Sequence, residues 1–149
     1  MSVLENAEHG SVREPDSYFG SPNDGGEATL PGRFVTIAEL PELNVARGLV
    51  LQPLLGSDLM VSFARYEPGA EAPLHAHEEE QVFVVVDGEF DVTLGDETRR
   101  LKVGDAAVIP SWVPHRVTAS DDGPATQIDV FSPPREGLVR LLERRPSEA

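Results

Sequence analysis

Residues 69–119, GAEAPLHAHEEEQVFVVVDGEFDVTLGDETRRLKVGDAAVIPSWVPHRVTA, decide the fold. Short runs rich in Val, Phe, Ile and Thr (QVFVVV, EFDVTL, TRRLKV, AAVIP, HRVTA) alternate there with VDGE, LGDE, VGD and IPSWVP. β-Branched and aromatic side chains suit a pleated, half-buried surface, whereas Gly, Asp and Pro supply the backbone angles of turns. The same texture continues upstream in RFVTI, ARGLVL and LMVSFARY, and downstream in ATQIDVF. Many short strands at this spacing predict an all-β antiparallel sandwich or barrel. Asp87-Gly88 and Gly95-Asp96 are expected to close two hairpins. One helix is expected, near the C-terminus, where Leu138, Leu141 and Leu142 form an i, i+3, i+4 stripe in EGLVRLLERR.

The 149 residues suffice for one domain with a real core. Residues 1–30 are poor in large apolar side chains and rich in Gly, Pro, Ser, Asn and Glu, so they are expected to form a mobile or partner-packing arm. The strand-rich domain is placed at 31–135 and the helix with its tail at 136–149. The first residues lack the basic start and apolar stretch of a secretory signal, and no 18-residue apolar run exists. A cytoplasmic location is the resulting expectation. Cysteine is absent, which removes disulfides and thiolate chemistry. Asp and Glu number 26 against 12 Lys and Arg, a net charge of −14. That charge repels phosphate backbones and anionic lipid, so nucleic-acid and membrane partners are not expected. It also means that an anionic ligand needs a dedicated local cation.

Three of the four histidines fall in two places. His75 and His77 are two apart, and on a strand a period of two puts both on one face. Gln81 keeps the same parity, as does Glu79, whereas Glu80 does not. His115 opens the later run HRVTA. Three imidazoles converging from two strands would offer neutral nitrogen ligands suited to Zn, Fe, Ni or Mn. His9 lies in the arm and is read as a solvated tail histidine.

The surrounding spacing resembles the cupin family. Gly69, five residues, His75-Ala76-His77, three residues, Gln81, six residues and Gly88 reproduce its first motif. Gly104, five residues, Pro110-Ser111-Trp112, two residues, His115, three residues and Ala119 reproduce the second. The departures are Gln81 at the usual glutamate, Trp112 at a glycine and Ala119 at an asparagine. The resemblance implies a single jelly-roll-like barrel with a divalent metal on His75, His77, Gln81 and His115. With glutamine in place of the acid, the metal would keep its full charge, favouring Lewis-acid over redox work at some expense in affinity.

A downstream D-x-F-S-P-x-R pattern, Asp129, Phe131 and Arg135, extends the likeness to small cupins of the pectin-degradation type, which act on 4,5-unsaturated uronates. That resemblance implies Asp129, Phe131 and Arg135 for substrate and catalysis; Glu79 stands where many of those proteins have a histidine. Asp129, if desolvated, can move a proton, and Arg135 offers a planar fork for a carboxylate. On residue pattern alone, Gln127 and Asp129 could equally form the wet face of an edge strand, while Arg116 has the parity of the outer face. The expected partners are therefore a small-molecule substrate such as a sugar acid, and a second copy of the chain covering exposed sheet edges. A metal-dependent oxygenase, a polyketide-cyclase-like cupin and a non-catalytic binding module remain alternatives.

Overall fold

The computed structural model describes residues 18–21 and 25–144. Most of the arm expected over residues 1–30 lies outside them; the described residues up to Phe34 form no strand. From Val35 onward, ten strands run β1 Leu43–Ala46, β2 Leu49–Leu55, β3 Met60–Tyr66, β4 Glu71–His75 and β5 Glu80–Asp87, then β6 Glu89–Leu94, β7 Glu97–Lys102, β8 Ala106–Ile109, β9 His115–Ala119 and β10 Ala125–Ser132. A helix, α1, follows at Glu136–Arg144. The strands form two antiparallel sheets, ordered β1-β2-β3-β10-β5-β8 and β4-β9-β6-β7. This is the all-β antiparallel architecture expected from the strand spacing, in the jelly-roll-like form that the cupin resemblance implies.

Alternation decides which side chains face inward. Along β3, Met60, Ser62, Ala64 and Tyr66 are buried; along β10, so are Ala125, Gln127, Asp129 and Phe131. β10 lies between β3 and β5, and Asp129 sits opposite Ser62 on one side and Phe83 on the other. The deep core is apolar. Phe83 of one sheet meets Phe90 of the other edge-to-face at 5.4 Å, and Tyr66 meets Phe90 at 5.0 Å, arrangements favoured by the ring quadrupoles. A second cluster of Met60, Phe131, Leu43 and Leu138 anchors α1 through its apolar stripe. The inward polar residues of β5, β9 and β10 are thus held between two apolar clusters.

Two local expectations change. RFVTI forms no strand; a short 3-10 turn covers Ile37–Glu39. The amide of Gln52 donates to the carbonyls of Ile37 and Leu40, so a side chain rather than a strand ladder holds this backbone. Asp87-Gly88 joins no hairpin, because β5 and β6 belong to different sheets and the chain crosses over at this point. Gly95-Asp96 does close a hairpin, with Leu94 opposite Glu97.

The crossing requires glycine at 88. Gly88 has φ +71°, and a Cβ there would sit 2.5 Å from the Pro124 carbonyl oxygen and 2.8 Å from Ala125 Cα. Neither backbone neighbour can move without disturbing β10. Gly88→Ala should therefore destabilise the protein by at least about 2 kcal/mol in urea unfolding; a change below roughly 0.5 kcal/mol would show that the corner is not tightly packed.

Candidate functional site

The expectation that His75 and His77 share one strand is not met. His75 ends β4, in the four-stranded sheet, and β5, in the six-stranded sheet, begins only at Glu80. His77 lies in the connecting corner, where strand parity does not apply. The imidazoles converge by tertiary placement instead. His75 is registered opposite His115 across the β4–β9 pair. The backbone N–H of Trp112 donates to the His77 carbonyl at 2.8 Å and so ties the corner to the loop before β9. Trp112 adopts φ +66° to do this, which accounts for the glycine that the cupin pattern carries there.

The ring centroids lie 4.2 Å apart for His75 and His115, 4.9 Å for His77 and His115, and 5.5 Å for His75 and His77. One potential ligand atom from each falls within 4.8 Å of the other two. Each Nδ1 faces a main-chain carbonyl: Pro73 at 2.6 Å, Glu79 at 2.9 Å and Val113 at 2.8 Å, for His75, His77 and His115 respectively. A carbonyl only accepts, so every Nδ1 carries a proton, and in a neutral ring the lone pair then falls on Nε2. Burial lowers the His115 pKa to about 4, reinforced by His75, His77 and Arg135. Burial also lowers that of His77, with Arg135 adding to the effect. Both rings are therefore neutral at pH 7, the form that binds metals.

Two observations show that these residues fit a cation. His115 Nε2 is buried and has no hydrogen-bond partner, a state that costs about 1–3 kcal/mol unless something binds it. His77 Nε2 stands 3.1 Å from Gln81 Oε1. With Nδ1 protonated, both of those atoms are acceptors, and two lone pairs at that distance repel. The amide cannot rotate away, because Gln81 Nε2 donates to Asp129 Oδ1 at 2.7 Å. A cation between the imidazoles and the amide oxygen satisfies all of them.

Asp129 and Phe131 lie inward. Asp129 is 5% exposed and accepts a second hydrogen bond, from Gln127 Nε2 at 2.7 Å. Burial raises its pKa to about 6 against the opposing pull of these two amides. Phe131 packs edge-on to His77 at 5.7 Å. A cavity of about 390 Å³ is bordered by the three histidines, Gln81, Asp129 and Arg135, with apolar walls from β2 and α1. Arg135 is the only Lys or Arg among the described residues that line it. Gly137 makes room for the guanidinium, since a Cβ there would lie 3.2 Å from Arg135 Nη1. Arg116 points elsewhere and pairs with Glu71 at 3.3 Å.

Glu79 takes a role that strand parity did not foresee. It is buried, but its carboxylate lies outside the convergent set of histidine nitrogens. Its Oε2 accepts from the backbone N–H of Glu136 at 2.8 Å, and its Oε1 lies 3.8 Å from Arg135 Nη1. Burial alone would raise the Glu79 pKa, but the Glu136 hydrogen bond and the Arg135 cation outweigh it and hold the acid ionised. Glu79 thus joins the start of α1 and Arg135 to the histidine corner. Glu80 is exposed.

Gln81→Glu should tighten divalent-metal binding, because an anion offsets the charge of the cation, while Gln81→Ala should weaken it. Isothermal titration with zinc and nickel measures both. Equal affinity in all three proteins would remove Gln81 from the ligand set.

The cupin domain family matches residues 62–131. Pectin degradation protein KdgF of Dickeya dadantii is 35% identical over 109 residues, covering 72% of this chain and 98% of that protein. The solved structure of KdgF from Halomonas sp. aligns with a TM-score of 0.67 at 34% identity, covering 72% of this chain and 99% of that one. Oxalate decarboxylase OxdC of Bacillus subtilis is 28% identical over 128 residues; the match takes in 83% of this chain but spans only 30% of OxdC. On the likeness to KdgF over nearly its whole length, and on the two-sheet fold, the chain belongs to the cupin family.

Proposed function

We propose that this chain is a metal-dependent cupin enzyme that opens and isomerises a 4,5-unsaturated uronate, or a closely similar sugar acid, to a linear keto-acid. The observation that carries this reading is that one cavity brings together a cation-ready histidine cluster, a buried carboxyl group and a single arginine. The similarity to a pectin degradation protein, over 98% of that protein and 72% of this chain, supports the substrate class.

A divalent cation held by His75, His77, Gln81 and His115 would supply Lewis acidity toward a ligand oxygen. The other parts belong to the chain. Arg135 presents its guanidinium to the substrate carboxylate, supplying the local attraction that a protein of net charge −14 otherwise denies an anion. Its pair with Glu79 is long, 3.8 Å through Nη1, so it orients the fork without saturating it. Asp129 takes the proton from the hemiacetal hydroxyl as the ring C–O bond breaks. The same carboxyl then delivers a proton to the enol carbon, leaving a ketone and no net change in composition. A carboxyl group with a pKa of about 6 can serve in both directions near neutral pH. Phe131 forms an apolar wall beside His77 and limits water at the site.

Asp129→Asn should lower turnover of the unsaturated uronate by about 10²- to 10⁴-fold. Metal content should hold, because the asparagine oxygen can still accept from Gln81. Arg135→Lys keeps the charge but loses the fork, so its effect should fall mainly on KM. Loss of the enol absorbance follows both. A protein that binds the uronate yet leaves that absorbance unchanged would be a binding module, and oxygen consumption coupled to turnover would make it an oxygenase.

A further inference from the structure

Among the described residues, Arg135 is the only Lys or Arg that lines the cavity, and an acid stands beside it. Glu79 Oε1 lies 3.8 Å from Arg135 Nη1. The position of this acid is fixed from two sides. Its Oε2 accepts from the Glu136 N–H at 2.8 Å, and its main-chain carbonyl accepts from His77 Nδ1 at 2.9 Å. The same imidazole nitrogen lies 3.6 Å from Glu79 Oε1. The Glu79 side chain is only 8% exposed, so water and salt screen its charge weakly. Glu79 is not among the described residues that line the cavity.

We propose that Glu79 is a specificity-determining residue that acts through Arg135, favouring singly charged anions over doubly charged ones. The inference rests on the reading of the cavity as a sugar-acid site and adds which acids it admits. With Glu79 ionised, the Arg135–Glu79 pair has no net charge. The pair therefore offers a ligand the directional N–H fork of the guanidinium and no surplus positive charge. One carboxylate satisfies that fork. A phosphate ester brings similar oxygens with a second negative charge, which Glu79 repels and no other cationic side chain on the cavity wall meets. An anion on the free edge of the guanidinium lies within about 8 Å of the Glu79 carboxylate, where one weakly screened charge alters binding about tenfold. Glu79 needs no contact with the ligand to do this. It biases the cavity toward sugar acids and against sugar phosphates.

The test uses non-reactive probes that differ in charge at one carbon. D-Galacturonate and D-galactose 6-sulfate carry one negative charge, and D-galactose 6-phosphate carries two at about pH 8. The sulfate and phosphate esters share a shape, so the ratio of their affinities reports charge. Titration calorimetry on the zinc-loaded full chain compares the wild type with Glu79→Gln and Glu79→Asp. Glu79→Gln keeps an acceptor for the Glu136 N–H and removes the charge, whereas Glu79→Asp keeps the charge and shortens the reach. Glu79→Gln should shift the phosphate-to-sulfate affinity ratio about tenfold toward phosphate. Glu79→Asp should hold the wild-type ratio within roughly threefold. A merely structural role would not separate the two variants in this way, because shortening the side chain disturbs packing at least as much as removing its charge. An unchanged ratio in Glu79→Gln, an equal shift in Glu79→Asp, or failure of all three proteins to bind either ester would each overturn the inference. The uronate reading fails separately. If the ratio shifts while the wild type binds galacturonate no better than D-galactose and leaves the unsaturated uronate intact, charge selection stands and the reaction does not. If the wild type consumes the uronate and the ratio does not move, the reaction stands and charge selection does not.

Discussion

Each of the three central imidazoles commits its Nδ1 proton to a main-chain carbonyl, and the site depends on that commitment. Pro73, Glu79 and Val113 supply these carbonyls from three different stretches of chain. They fix which nitrogen is protonated, how each ring is turned and where the lone pairs meet. Such partners ordinarily set the tautomer and basicity of a ligating histidine. The β-sheet scaffold serves this arrangement by registering His75 against His115, while the Trp112 N–H holds the His77 corner in place.

A second constraint follows from the first. Gln81 can offer its oxygen to the cluster only while its nitrogen has an acceptor, and Asp129 is that acceptor. The carboxylate of Asp129 is shared by two amides, so one residue orients both Gln81 and Gln127. Charge is arranged with the same economy. Among the described residues, a single arginine faces the histidine-lined cavity of a strongly acidic protein, and Glu79 holds it there while staying ionised itself. The buried clusters on either side, around Phe83 and Phe90 and around Met60 and Phe131, keep these polar groups from relaxing toward solvent.

The fold was largely legible from residue pattern, because the inward face of an antiparallel strand repeats every two residues and Gly, Asp and Pro mark the ends. Gln127, Asp129 and Phe131 share that inward parity on β10, although pattern alone could not say whether their face was wet or buried. What parity missed lies at crossings between sheets. His77 and Asp87-Gly88 sit where the chain leaves one sheet for the other, and alternation carries no information there. The hydrogen bond from Gln127 to Asp129 and the tie from Glu79 to α1 join partners 2 and 57 positions apart. The second is a tertiary contact that no local pattern encodes. The cupin resemblance nonetheless brought His75, His77, Gln81 and His115 into one group across that corner.

The central claim is that three Nε2 lone pairs and one amide oxygen converge on a single cation. Anomalous diffraction from crystals of the protein grown with nickel tests it directly. The account predicts one peak about 2.0–2.2 Å from Nε2 of His75, His77 and His115, with Gln81 Oε1 completing the protein ligands and every Nδ1 still on its carbonyl. A peak bound through Nδ1, or nickel found only away from the three rings, would contradict it.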